Sequence, residues 1–235
     1  MIYSDLELMQ MQTQALFVHD ANSKLLRINE PEPDPPAPAP QFFLGRTAAG
    51  NLWRTRYDLP SDLAAELERL AANEPVNRDL RQPPAYEAQY MELLKPHISL
   101  LTINSGPAYY VPEGAVSPDV VTITAENVSL VKAYFSWLLN TVPDYAPVVV
   151  AVEDAHAVAV CFCSRITPKV AEAGVFTEAN YRGRGYATQV ARGWAEAVRS
   201  TGRLPLYSTS WSNHASQAIA KKLGAVQYGV DYSLT

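Results

Sequence analysis

Between Val170 and Ser200 the chain passes from a strand pattern to a helix pattern with only a turn between them. "VAEAGVFTEA" reads as a strand, and from Thr188 to Ser200 the residues Val190, Ala191, Trp194 and Val198 recur at helical spacing. The join, "NYRGRGYA", packs Arg182, Gly183, Arg184 and Gly185 together. A strand must therefore end at the start of a helix. That start carries N–H groups without internal partners and a partial positive charge. Gly183 and Gly185 would let further N–H groups converge on one point, where side chains would block a close approach. Arg182 and Arg184 would add charge-assisted bonds to phosphate oxygens. The plainer alternative is a tight turn with two solvated arginines. The stretch lacks the third glycine of a dinucleotide-binding turn and the G-K-[ST] ending of a Walker loop.

The rest of the second half is regular. "VVTIT" (120–124) reads as a strand, and "AENVSLVKAYFSWLLNTV" as an amphipathic helix with Val131, Phe135 and Leu138 aligned. "PVVVAVED" and "AVAVCFCSRI" flank the polar break "EDAHA", a hairpin signal. "LPLYSTSW" is a strand, "SNHASQAIAKKLG" a capped helix closed by Gly224, and "VQYGVDYSL" a last strand. The order β–α–β–β–β–α–β–α–β mixes hairpins with crossovers and implies a mixed sheet with helices on both faces. Trp137 and Trp194 are expected in the core.

The first half is less informative. Residues 1–30 could open as helix or strand. "PEPDPPAPAP" (31–40) reads as an extended, exposed segment. "QFFLGRTAAGNLWRTRYDLP" suggests a hairpin around "AAGN". Ser61 is expected to cap a helix with Leu63, Leu67 and Leu70 on one face, and a second helix to span Pro84 to Leu94. "ISLLTINSGPAYYVPE" reads as strand, turn, strand.

Composition excludes several classes. Net charge is −5, so an overall basic footprint for nucleic acid is missing, and the acidic balance fits a cationic substrate. No apolar stretch is long enough to span a bilayer, and the first residues lack a secretory pattern. Cys161 and Cys163 would share one face of a strand, a poor geometry for bonding to each other, so both are read as reduced thiols in a cytoplasmic protein. His19, His97, His156 and His214 are scattered, and no metal site is expected.

Arg182-Gly-Arg-Gly185-Tyr-Ala187 fits the R/Q-x-x-G-x-G/A signature of the GCN5-related N-acetyltransferases (GNAT). "EAGVFTEANY" resembles that family's fourth strand and "LYSTSW" its fifth. Asn213, Ser216, Lys222, Leu223 and Gly224 resemble its second motif, an Asn opening a helix that ends in K-x-G. The resemblance covers about residues 117–235. It implies an α+β fold: a mixed, mostly antiparallel central sheet flanked by helices over 116–235, with an additional N-terminal α+β region, 1–115, beside the acceptor.

It also implies acetyl-CoA as cosubstrate, an amine-bearing acceptor, and no nucleic-acid or membrane partner. Pantetheine would lie as an added strand against Val175, Phe176 and Thr177. The N–H groups of Gly183, Arg184, Gly185, Tyr186, Ala187 and Thr188, with Arg182, would hold the pyrophosphate. Asn213 would cap its helix or contact the cosubstrate's chain. Glu172 sits where some members place a general base, and burial would raise its pKa; a solvated strand-end carboxylate is the other reading. The tyrosine that many members use to protonate the leaving thiolate is replaced by Ala220. Ser216, one turn earlier, could serve, as could Tyr186, Tyr228, Tyr232 or water. The function implied is an acetyl-CoA-dependent N-acetyltransferase acting on a primary amine of a small molecule. The rivals are a protein N-terminal or lysine acetyltransferase, a CoA-binding sensor without turnover, and a nucleotide-binding module.

Overall fold

The computed structural model describes residues 3–31, 35–98, 100–114 and 119–235. Glu32–Asp34 of the proline-rich segment, Ser99 and the expected boundary at 115/116 lie outside the described residues. The first elements are α1 (Asp5–Leu16), β1 (Phe17–His19), β2 (Leu25–Ile28), β3 (Phe42–Thr47), β4 (Gly50–Thr55), α2 (Ser61–Ala72), α3 (Glu87–Leu94) and β5 (Ile103–Tyr110). Then come β6 (Val120–Thr122), α4 (Val142–Tyr145), β7 (Val149–Glu153), β8 (His156–Ile166), β9 (Val170–Thr177), α5 (Tyr186–Ser200), β10 (Leu204–Ser208), α6 (His214–Leu223) and β11 (Val226–Leu234).

They form two compact units, Met1–Tyr109 with Ser208–Asn213 and Gln227–Thr235, and Tyr110–Tyr207 with His214–Val226. The first has strand order β4-β3-β11-β5, and the second β10-β9-β8-β7-β6. Antiparallel pairing prevails, while β9 and β10 run parallel. The chain therefore adopts the expected α+β class, a mostly antiparallel sheet flanked by helices.

In the first unit, α1 begins with a capping box: Ser4 Oγ accepts from the Glu7 N–H, and Glu7 accepts from the Ser4 N–H. The β3–β4 hairpin forms as expected, Thr47 facing Gly50. Leu63, Leu67 and Leu70 pack with Phe42, Leu44, Tyr90 and Leu94. Pro60, not Ser61, occupies the α2 cap position, because proline's fixed φ lets Ser61 begin the helix itself. The second helix starts three residues late, at Glu87. In place of the expected strand, turn and strand within "ISLLTINSGPAYYVPE", Ile103–Tyr110 is one strand. A Cβ at Gly106 would lie 1.7 Å from the Thr209 carbonyl oxygen, so this glycine answers a close backbone approach. The neighbouring main chain bonds accordingly, Thr209 N–H to Pro107 O and Trp211 N–H to Ser105 O.

In the second unit, the β7–β8 hairpin turns at Asp154 and Ala155, both with positive φ. The expected helix over 125–142 is replaced by short 3-10 turns at Val128–Val131 and Ser136–Leu139, followed by α4. The Asn127 side chain donates to Thr122 O and accepts from the Thr124 N–H, bonds that compete with a helical start at this end of the segment. The apolar positions still count, since Val131, Phe135 and Leu138 are buried with Val150, Val160 and Phe162. Trp194 is fully buried, but Trp137 is 40% exposed, its ring set edge-on against Tyr145 and Phe162. Cys161 and Cys163 are buried free thiols. Burial pushes the Cys161 thiol well up and the Cys163 thiol up to about 11.

Candidate active site

The sheet of the second unit has two distinct faces. A Cβ at Gly193 of α5 would meet Val120 and Val149, and Val149, Cys161 and Val175 are cross-strand partners. These residues lie under α5. Strand alternation places Ala171, Ala173 and Thr177 on the same face. Glu172, Gly174 and Phe176 take the opposite face, where the Phe162 ring covers Gly174 and stacks on Phe176 at 5.8 Å.

Strand β10 follows β9 only briefly. Leu204, Pro205 and Leu206 pair with Val170, Ala171 and Glu172, and the register ends there. Past Glu172, the strand from Ala173 to Thr177 pairs with β8 alone among the described residues. Which of its main-chain groups face the gap follows from parity. The Glu178 N–H bonds to Val158 O across β8, while Lys169 O accepts from Leu204 on the β10 side. Even-numbered residues thus turn toward β8, and Ala173, Val175 and Thr177 project into the gap.

Two sequence expectations change here. The main chain of Phe176 turns to β8, and its side chain, 55% exposed, stands on the face of Glu172. The Thr177 carbonyl is taken by Arg182 Nε at 3.2 Å. Ala173, unmarked in the sequence, joins Val175 on the open edge; the hairpin register behind it was the available signal.

The strand leads through a 3-10 turn, Ala179–Tyr181, into the glycine turn. Gly183 and Gly185 have φ of 78° and 90°, and a Cβ at either would meet no atom within 4 Å. Positive φ, rather than crowding by the protein, is what selects glycine. Gly185 is the cap of α5. Among the described residues, the N–H groups of Gly183, Arg184, Gly185, Tyr186 and Ala187 donate to nothing, whereas those of Thr188 and Gln189 bond to Gly185 O. Five free donors at the start of a 15-residue helix form an anion nest, with Thr188 outside it.

Both arginines are anchored at the turn. Arg182 is exposed and tied to Thr177 O, while Arg184 donates to Asn180 O, pairs with Glu153 at 3.4 Å and lies over the Tyr181 ring. Tyr186 donates to the same Glu153, a bond that raises its phenol pKa. The donor set suits a diphosphate, and the open edge beside it suits an extended amide chain. These groups match the amides and the diphosphate of a pantetheine-bearing cosubstrate.

Glu172 is 1% exposed and sits where β9 and β10 part, so it is not a solvated strand-end carboxylate. Ser216 lies in the first turn of α6, with its hydroxyl 2.7 Å from that of Tyr207 in β10. Tyr207 was not singled out in the sequence. Ala220, one turn beyond Ser216, is buried. Helix α6 ends in a left-handed Gly224, with Gly224 N–H bonded to Lys221 O and Ala225 N–H to Ala220 O. Asn213 is exposed just before α6, and its N–H bonds to Ser210 O. Tyr228 and Tyr232 are buried in the first unit, where Tyr228 donates to Gln12.

Solved structures similar to the chain include a GNAT acetyltransferase of Novosphingobium aromaticivorans, 19% identical over 57% of this chain and 64% of that one, with TM-score 0.43. A GCN5-related N-acetyltransferase of Kribbella flavida is 15% identical over the whole of this chain and 96% of its own, with TM-score 0.49. The protein yncA of Salmonella typhimurium, solved with acetyl-CoA, is 12% identical over 49% of this chain and 91% of its own, with TM-score 0.37. The chain spans just under two thirds of the Novosphingobium protein's length. No curated protein matches it. The family model for the acetyltransferase (GNAT) domain matches residues 107–226, more than half the chain and the whole of the turn, gap and α6, so the protein belongs to the GNAT acetyltransferases.

Proposed function

We propose that this chain transfers the acetyl group of acetyl-CoA to the primary amine of a small molecule, by direct attack within a ternary complex. The observation that carries the reading is the continuity of the open β9 edge, Ala173 to Thr177, with the five-donor nest at Gly183–Ala187. Main-chain groups of Ala173 and Val175 would hold the amide arm by strand addition, and the nest with Arg182 and Arg184 would hold the diphosphate. Acetyl-CoA supplies an activated thioester. N–H groups aimed from β9 at its carbonyl would stabilise the oxyanion as charge develops.

An amine must be neutral to attack. Glu172 would take its proton from one face of the sheet. The exposed faces of Phe176 and Trp137 lie on that side, beside the Tyr145–Phe162 cluster. Ser216, under the opposite face, would donate to the departing thiolate. The acidic balance of the chain attracts a cationic acceptor at long range.

A panel of amines scored by released thiol tests this. Turnover with a small amine, and a kcat roughly 100-fold lower in Glu172→Gln, is the expected result. Turnover with peptides alone would sink the small-molecule part. An unchanged kcat in Glu172→Gln would remove the base.

A further inference from the structure

We infer that Tyr207 and Ser216 form a two-step proton relay to the leaving thiolate, with Tyr207 in the place left empty by Ala220. The inference rests on the acetyl-transfer reading above and adds to it the source of the proton.

The two hydroxyls are 2.7 Å apart, and either can donate. Tyr207 follows Leu206, the last β10 residue in register with β9, so it stands where the gap begins. Leu206 pairs with Glu172 and shares its face of the sheet; Tyr207, the next residue, points to the other face, under α5 and α6. Helix α6 is fixed there by α5, through Arg192 to Lys222 O at 3.1 Å. Glu172 and the Tyr207–Ser216 pair thus flank the opening of the gap from opposite sides. An amine entering from the side of Glu172 would expel sulfur toward Ser216.

The chemistry needs both hydroxyls. As the C–S bond breaks, the thiolate accepts the Ser216 proton. A serine left as alkoxide is a poor outcome, because an aliphatic hydroxyl is a far weaker acid than a thiol. Tyr207 removes that problem by passing its own proton to Ser216 Oγ as Ser216 gives one up. The charge then rests on a phenolate, a far weaker base than a serine alkoxide. Solvent protons restore Tyr207 after release. Ser216 is half-buried and Tyr207 is 3% exposed, the order expected of a hydroxyl that meets the substrate and one that backs it. In this scheme Ser216 is the catalytic residue and Tyr207 acts through it.

Two measurements test the relay. In steady-state assays, Tyr207→Phe keeps the buried ring and should lower kcat roughly 100-fold with KM for acetyl-CoA within about twofold. Ser216→Ala should do the same, and the double variant should lose no more than the worse single. Additive losses, or an unchanged kcat in Tyr207→Phe, would overturn the relay. The second measurement needs no turnover. Affinities for CoA and desulfo-CoA are compared in alkaline buffer, where the thiol is ionised. The wild type should favour CoA roughly tenfold, as a bond to a charged group would, and both single variants should lose most of that preference. Equal affinities in the wild type would overturn the relay and leave the acetyltransferase reading standing. Failure of the wild type to bind either compound would overturn both.

Discussion

Two polar clusters in this protein use similar groups in opposite ways. In the first unit, the buried Glu74 carboxylate accepts from the Tyr86 N–H at 3.2 Å, from Tyr90 Oη at 3.0 Å and from the Ala85 N–H. The buried Arg46 gives its guanidinium to Leu80 O and Gln82 O. Main-chain groups there bond directly to charged side chains. At the β9–α5 turn of the second unit, five main-chain donors point at no protein group among the described residues, and two arginines lie exposed beside them. Unpaired donors are tolerable there because the turn is open to solvent. The contrast separates polar groups that build the fold from polar groups that we propose meet a ligand.

The comparison can be broken from either side. The largest effect should come from Glu74→Ala, which strips three donors of their acceptor inside the first unit. A loss of about 3 kcal/mol is expected, a Tm lower by roughly 6–12 °C. Acetyl-CoA affinity of the folded protein should be unchanged. Calorimetric melting and ligand titration check both halves.

Gly185→Val acts the other way. A β-branched residue at φ 90° costs about 2 kcal/mol of local strain and should displace the nest donors. Acetyl-CoA binding should weaken more than tenfold, a larger consequence than the fall in Tm.

Arg184→Ala should be milder still: a roughly tenfold rise in KM for acetyl-CoA from the lost charge-assisted bond, with stability within about 0.5 kcal/mol. A destabilised Arg184→Ala protein with unaltered KM would make the turn structural and erase the contrast.

The smallest effect is one of pH. Burial, reinforced by the Glu74 carboxylate, holds the Tyr90 phenol well above its usual pKa, and burial with Glu87 does the same for Tyr232. Both stay protonated in the fold while the unfolded chain ionises near pH 10. Their contribution to stability is therefore complete below pH 10 and shrinks as pH climbs toward the raised values. Melting curves from pH 8 to 11 should show a decline that Tyr90→Phe makes shallower.

The second unit was more legible in the sequence than the first, for identifiable reasons. Its hairpin, its glycine turn and its last two helices are written in local patterns: alternation in "AVAVCFC", positive-φ glycines, a lysine-rich helix end before Gly224. The segment after β6 misled because Val131, Phe135 and Leu138 do share one buried cluster although the backbone forms short 3-10 turns there. In the first unit, Ser4 and Glu7 spelled out a capping box at a position left undecided. The unbroken strand Ile103–Tyr110 was not legible because nothing local reveals that residues 209–211 lie against Gly106.

The site divides in the same way. The nest could be read from the turn alone. The parity that turns Ala173 outward and Phe176 toward β8 depends on hairpin register. The bond between Tyr207 and Ser216 depends on how α6 returns over β10.

The central claim is that the open β9 edge and the nest together hold acetyl-CoA. Thermal melting of the purified chain against increasing acetyl-CoA, with ATP and NAD as parallel titrations, tests it most directly. At about 100 times the dissociation constant, a ligand that binds only the folded state adds roughly 2.7 kcal/mol. The account predicts a saturable rise in Tm of several degrees with acetyl-CoA, and little or none with ATP or NAD. No rise with acetyl-CoA, or equal rises with all three, would contradict it.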